Sequence, residues 1–149
     1  MTQTLKNFLT GANNKDFATN QGTQIHAILR HVIVDNSGDC GDKNIVAIIK
    51  NKKEITRFFV ASAQTEVPVA GKLNDRFISR RIDRLLINHN TKTIDFIDYK
   101  TDINKNEFIE KYKKQLQEYA ELLRLAYPGY KISGYILWLH DWVLEQIVA

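Results

Sequence analysis

The spacing of apolar residues predicts a helical N-terminal third. Over residues 25–32 apolar side chains recur at helical spacing, which predicts a helix from about 17 to 34. A run of Asp, Asn, Ser and Gly at 35–39 ends this helix, because these residues favour turns. Residues 1 to about 16 are polar and are expected to form a loosely held lead-in. Two short helices are expected next, over 43–50 and 53–60.

Alternation of polar and apolar residues predicts a sheet in the rest of the chain. A turn is expected at 71–75. Farther along the chain, an apolar stripe along one helix face predicts a long helix over 104–126, and Pro128-Gly129 prevents it from continuing. Strands are expected at Glu66–Val69, Phe77–Ile87, Thr93–Thr101, Lys131–Leu139 and Trp142–Val148. This order is typical of an α/β fold with a central mixed β-sheet flanked by helices, here as a single domain over 1–149.

Two neighbouring strands each carry one acidic residue among apolar positions. Side chains at i and i+2 of a strand share a face, so Asp98 and Lys100 point the same way. If the hairpin closes symmetrically about Asn90 and Thr91, Asp83 lies opposite Asp98. Opposed Cβ atoms lie roughly 4.5–5.5 Å apart, and two carboxylates that close repel unless a cation lies between them. The hairpin therefore predicts a site for Mg²⁺ or Mn²⁺, beside which a lysine can orient water or offset phosphate charge.

Composition excludes some classes of protein. Among 149 residues, 44% are hydrophobic and 26% charged, and the net charge of +4 permits nucleic-acid binding without demonstrating it. Cys40 is the only cysteine, which excludes an internal disulfide and an all-cysteine iron–sulfur or zinc site and favours a cytoplasmic location. No apolar run reaches about 18 residues, so no membrane helix is expected. Ala70-Gly71-Lys72 lacks the rest of a Walker A loop, so no ATP site is expected.

Five short motifs follow one another along the chain. They are Gly22-Thr23-Gln24-Ile25-His26, Glu66-Val67-Pro68, Arg81-Ile82-Asp83-Arg84-Leu85, Ile97-Asp98-Tyr99-Lys100-Thr101 and Gln115-Leu116-Gln117-Glu118-Tyr119. From about residue 17 to the end they resemble the motifs of the PD-(D/E)XK nucleases, above all the RecB/AddA-type nuclease domain. The resemblance implies a restriction-endonuclease-like core. Arg80 departs from the pattern, since a glycine often precedes the Asp strand motif.

The resemblance also implies roles for the matched residues. His26, Asp83 and Asp98 would be metal ligands, assisted by the backbone carbonyl of Tyr99, and Lys100 would be the catalytic lysine. The implied metal is Mg²⁺, and a histidine ligand favours tolerance of Mn²⁺. A second group of residues would contact DNA or support the site: Gln115, Tyr119, Arg81, Arg84 and Glu66.

Ordinary structural interpretations stay open for these residues. A histidine on an amphipathic helix is often a surface or structural residue. Asp83 and Asp98 could pair with Arg81 or Arg84 rather than with a metal. The remaining candidates could be plain helix or strand-edge residues, namely Gln115, Tyr119 and Glu66.

The leading hypothesis is a Mg²⁺-dependent deoxyribonuclease that hydrolyses phosphodiester bonds. The resemblance favours an exonuclease of DNA break repair and recombination that works with a helicase domain or subunit. Spacing alone does not fix exonuclease against endonuclease action, polarity or strand preference. The alternative hypothesis is a non-catalytic DNA-binding or docking module of a helicase complex, and a third is a nuclease that acts on RNA.

Overall fold

The computed structural model describes the backbone of residues 15–149 and side chains from residue 22 onward. Most of the predicted lead-in, residues 1–14, lies outside the described residues. The helices are α1 (Lys15–Arg30), α2 (Lys43–Lys50), α3 (Lys53–Thr56) and α4 (Lys105–Ala126). The strands are β1 (Ile33–Asp35), β2 (Gly38–Cys40), β3 (Gln64–Leu73), β4 (Arg76–Asn88), β5 (Thr93–Lys100), β6 (Lys131–Trp138) and β7 (Val143–Val148).

A five-stranded mixed sheet organises the described chain. Its strand order is β3-β4-β5-β6-β7, and all neighbours are antiparallel except β5 and β6. Helix α4 makes the connection between these two parallel strands, which require a long crossover. The predicted α/β class with a central mixed sheet flanked by helices is confirmed.

The sheet separates two hydrophobic cores. On one side, Ile25 and Leu29 of α1 pack with α2, α3 and the β5 residues Ile97 and Tyr99. On the other side, the α4 face around Leu116 to Leu123 packs on the alternate residues of β5 and β6. This alternation is the expected consequence of a strand whose two faces are both covered. We call these the α1 side and the α4 side.

The side-chain alternation of β4 is interrupted at Asp83. Ile82 and Leu85 both pack in the core of the α4 side, although an odd separation should place them on opposite faces. On the neighbouring strand, backbone pairs run through Thr65↔Arg84 and Val67↔Ile82 and omit Glu66. Glu66 has a positive φ of 54°, a left-handed conformation that a glutamate seldom adopts. The two halves of β4 are therefore out of phase, and Asp83 lies at the change.

Most predicted elements are present, with three corrections. The first predicted helix is too long: it ends at Arg30, and Val34 belongs to β1, where its amide donates to the Phe59 carbonyl at 2.6 Å. The second correction concerns the predicted turn at 71–75, because β3 continues to Leu73 and only the two residues before β4 turn. The third is that α3 ends at Thr56 rather than near residue 60. Among the described residues, no helix is both long and apolar enough to cross a bilayer.

Candidate metal centre

The acidic residues of the hairpin lie at the end of the sheet where α1, β3, β4 and β5 meet. The predicted register is confirmed for Leu85↔Phe96 and Ile87↔Ile94, and the backbone pairs extend to Arg84↔Ile97. Asp83↔Asp98 is not among these pairs, because β4 changes phase there. A cleft of about 730 Å³ opens beside this point, and both strands and the first turns of α4 contribute to its walls.

One histidine and two carboxylates converge on the α1 side of this point. His26, Glu66 and Asp83 each place one ligand atom so that the three atoms lie within 4.8 Å of one another. The His26 imidazole Nδ1 lies 3.2 Å from Asp83 Oδ1. Glu66 Oε2 lies 2.8 Å from the Nε of Arg81, whose side chain is 70% exposed. The left-handed backbone at Glu66 is therefore found at a residue whose side chain enters this group.

The charge of these carboxylates changes the protonation of His26. Burial lowers the pKa of the imidazole, but the hydrogen bond and charge of Asp83 outweigh burial, and the charges of Asp98 and Glu66 add to the effect. The pKa of His26 is therefore raised above its ordinary value of 6.5. The negative charge of the acidic group therefore favours the protonated imidazole. A divalent cation bound here would compete with that proton.

A second set of polar side chains lies on the α4 side of the same point. Lys100 Nζ lies 2.6 Å from Asp98 Oδ2 and donates to Gln115 Oε1 at 2.9 Å. The amide nitrogen of Gln115 in turn donates to the Tyr119 hydroxyl at 2.7 Å. The ammonium also lies 4.2 Å from the ring centroid of Tyr112, a favourable cation–π contact. Three residues of α4, spaced three and four positions apart on one helix face, thus hold the lysine in place.

Asp98 is a carboxylate whose burial is not fully compensated. It is 4% exposed, and its Oδ2 is paired with the Lys100 ammonium but has no further hydrogen-bond partner among the described residues. Burial, the largest cause, and the Asp83 charge together raise the pKa of Asp98 to about 6 against the opposing effects of Lys100 and His26. A buried carboxylate oxygen in this state is a good ligand for a cation that the protein alone does not supply.

Tyr99 and Arg84 connect the two strands to the helices of the α1 side. The backbone amide of Tyr99 donates to Asp83 Oδ2 at 2.7 Å, and the Tyr99 ring lies edge-on to the His26 imidazole at 5.3 Å. The Tyr99 hydroxyl accepts from Arg84 Nε at 2.9 Å. The Arg84 guanidinium, 1% exposed, also donates to the carbonyls of Phe58, Leu29 and Val32 at 3.2, 2.7 and 3.4 Å.

The structure divides the predicted supporting residues into two groups. Arg84 and Tyr119 are buried, so they can brace the site but cannot contact DNA. Gln115 is half-buried and holds Lys100. Arg81 and Glu66 line the cleft and are available to a ligand. The contact between the backbone carbonyl of Tyr99 and a metal stays a prediction. In the structure it is the backbone amide of Tyr99, not its carbonyl, that contacts Asp83.

Several residues of the cleft escaped the sequence reasoning. Asp102 accepts a hydrogen bond from the Tyr112 hydroxyl at 2.5 Å, and both residues line the cleft. Arg30 lines the same cleft together with Lys111. The signals were present in the spacing: Asp102 follows Lys100 by two residues, and Tyr112 precedes Gln115 by one helical turn.

The donor set fits a hard divalent cation. Two carboxylates and one imidazole converge, and the buried carboxylate of Asp98 is near enough for its charge to help raise the pKa of His26. Oxygen-rich sites with one histidine suit Mg²⁺ and Mn²⁺ better than softer metals. Comparisons with models of known protein families and with curated proteins found no match for this chain.

Proposed function

We propose that this protein is a divalent-metal-dependent deoxyribonuclease with a restriction-endonuclease-like core. The observation that carries the proposal is the convergence of His26, Glu66 and Asp83 beside the fixed pair of Asp98 and Lys100, at the wall of an open cleft. The motif resemblance supports the same conclusion independently of the geometry. By that resemblance, the substrate is DNA and the partner is a helicase domain or subunit.

The residues of the site would divide the work of hydrolysis. His26, Glu66 and Asp83 would hold Mg²⁺ or Mn²⁺, and by the resemblance Asp98 would be a further ligand. The bound cation would acidify a water molecule and neutralise charge on the phosphodiester. Lys100, held by three contacts that limit its movement, would place its ammonium against the oxygen that gains charge in the transition state. Because these contacts exist before substrate binds, little reorganisation would be required during the reaction.

The walls of the cleft are suited to a phosphate backbone. Arg30, Arg81 and Lys111 line it together with Lys100. Their charges would attract a polyanion and position it, without selecting a base sequence. The acidic groups in the same cleft would repel the phosphates unless a cation were bound, so metal binding and productive DNA binding should be coupled.

A cleavage assay tests this proposal. Linear and circular DNA, single- and double-stranded, and an RNA of the same sequence are incubated with Mg²⁺, Mn²⁺ or EDTA. The wild type should cleave DNA only with metal, and Lys100→Met should reduce the rate on the order of 10²–10³-fold, as expected for loss of one transition-state donor. Lys113→Met is the matched control, because Lys113 pairs with Glu110 at the surface of α4, 3.1 Å away.

The other outcomes separate the alternatives. Full metal-dependent cleavage by Lys100→Met would contradict the role given to Lys100. No cleavage by the wild type, with no metal binding by calorimetry, would contradict the nuclease and leave the DNA-binding or docking module. Cleavage of RNA alone would favour the third hypothesis.

A further inference from the structure

Outside the metal centre, the outer part of the β3–β4 ribbon has one face that no element of the described chain covers. The backbone pairs there are Pro68↔Arg81, Ala70↔Ser79 and Lys72↔Phe77, and paired residues of antiparallel strands project to the same side. All six residues are exposed. We call this surface the ribbon face, defined by Pro68, Ala70, Lys72, Phe77, Ser79 and Arg81.

The opposite side of the ribbon is committed to the core. Val67 and Val69 pack with the hydrophobic cluster of the α4 side, and Ile78 is buried. Gly71 lies so close to α4 that an added Cβ would lie 3.1 Å from Leu122. Arg80 pairs with Glu118 of α4 at 2.8 Å. The ribbon face is therefore held in a fixed orientation by the packing beneath it.

An aromatic ring and two cations distinguish the ribbon face from an ordinary solvated surface. Phe77 is 75% exposed, the largest exposed fraction among the large hydrophobic residues of the described chain. The side chain of Lys72, its cross-strand partner, is 69% exposed, and that of Arg81 is 70% exposed. No acidic residue lies among the six, although Lys72 Nζ lies 3.9 Å from the fully exposed Asp75 of the turn and Arg81 contacts Glu66. The small residues Ala70 and Ser79 between them leave a flat strip from the aromatic ring to Arg81.

The ribbon face runs directly into the candidate metal centre. Arg81 lines the cleft and contacts Glu66, and Asp83 follows two residues later. From Phe77 to Asp83 the strand rises about 20 Å, at roughly 3.3 Å per residue. That length corresponds to at most about six nucleotides at the 3.4 Å spacing of a stacked strand.

We propose that the ribbon face binds a single-stranded segment of DNA, with Phe77 stacked on a base and Lys72 and Arg81 against the backbone, and delivers it to the metal centre. This inference rests on the proposed function for its direction toward the cleft. An exposed ring can stack only on an unpaired base, whereas duplex bases present their edges in the grooves. Exposed aromatic rings beside a positively charged path are the features that bind single strands without sequence preference.

Fluorescence anisotropy in EDTA tests the ribbon face without requiring cleavage. The probe is a labelled 12-nucleotide oligothymidine, compared with a labelled duplex of the same length. Phe77→Ala should weaken oligothymidine binding by about 5- to 100-fold and leave duplex binding unchanged. The stacking of one base on one aromatic side chain contributes about this much to affinity. Phe77→Trp should restore the affinity. Lys72→Met should reduce the slope of log K against log salt by about 0.7, as expected for one lost phosphate contact with a single strand.

Val143→Ala is the matched control, because Val143 is also an exposed apolar side chain, at 42%, but lies on β7 at the opposite edge of the sheet. Equal affinity of Phe77→Ala and wild type for oligothymidine would overturn the inference. A loss of duplex binding equal to the loss of single-strand binding would overturn it as well. The same holds if the wild type does not bind oligothymidine and instead self-associates through Phe77 in sedimentation experiments. Wild type that binds through Phe77 but never cleaves would leave the ribbon face intact and contradict only the nuclease.

Discussion

Asp98→Asn should stabilise the protein in the absence of metal while it removes a proposed metal ligand. Asn has nearly the shape of Asp, so the substitution neutralises the buried carboxylate without opening a cavity. Burial raises the pKa of Asp98 from 3.8 to about 6, which means that the folded protein holds the proton more tightly than the unfolded chain does. Keeping Asp98 ionised at neutral pH therefore lowers the free energy of unfolding.

The magnitude follows from the pKa difference. About two pKa units at about 1.4 kcal/mol each give about 3 kcal/mol. For a raised carboxyl pKa, the stability is fully present below the unfolded value of 3.8 and is lost as pH rises through about 6. Asp98→Asn and wild type should therefore be equally stable below pH 4, and the variant should gain about 3 kcal/mol above pH 6. Near neutral pH this corresponds to a rise in Tm of about 6–12 °C.

Urea unfolding in EDTA between pH 3.5 and 8 measures this difference, followed by thermal unfolding with Mn²⁺. Metal should raise the Tm of the wild type more than that of Asp98→Asn, because a ligand stabilises only the state that binds it. Asp95→Asn on the same strand is the control: Asp95 pairs with Arg57 at the surface, so the change should stay below about 1 kcal/mol. A variant no more stable than wild type at pH 8, or a gain that does not depend on pH, would refute the reasoning.

Two further substitutions test the packing that holds the site. Gly134→Ala should lower the free energy of unfolding by about 1–3 kcal/mol, because the added Cβ would lie 2.4 Å from Phe96 Cζ in the core. The control Gly22→Ala should be neutral or slightly stabilising, since its added Cβ has room in a helix. Equal urea midpoints for the two variants would contradict the close contact at Gly134. Arg84→Lys should lower the free energy of unfolding by about 2–4 kcal/mol, since one ammonium cannot donate to three carbonyls and a phenol at once. The control Arg124→Lys, at an exposed position, should change the stability little. A negligible loss of stability in Arg84→Lys would show that the hydrogen bonds of Arg84 are replaceable.

The sheet and the long helix could be predicted because their patterns are long and regular. Helix α4 shows its apolar stripe over five turns, and two apolar pairs fix the register of β4 against β5. The β1–β2 hairpin could not be predicted in the same way. Its strands have three residues each. One of them is held by a backbone hydrogen bond from the Val34 amide to the carbonyl of Phe59, a residue remote in sequence.

The site was predicted less completely than the fold, for a specific reason. A constant period of two along β4 places Asp83 on the same face as Leu85 and opposite Asp98. The strand changes phase there, so Asp83 lies beside His26 on the α1 side while Asp98 lies beside Lys100 on the α4 side. No local feature of the sequence signals the change. Glu66 shows it only through a backbone conformation that a propensity scale would not assign to glutamate.

The phase change at Asp83 also separates two halves of β4 that could vary independently in evolution. The inner half is constrained by the cores on both sides of the sheet, and the outer half only by its contact with α4. Adding two residues to the outer part of both β3 and β4 would keep every side chain on its present face. It would move Phe77 about 7 Å farther from the candidate metal centre. If the ribbon face delivers DNA as proposed, the length of the ribbon would set the distance between Phe77 and the candidate metal centre in steps of two residues, without repacking of the core.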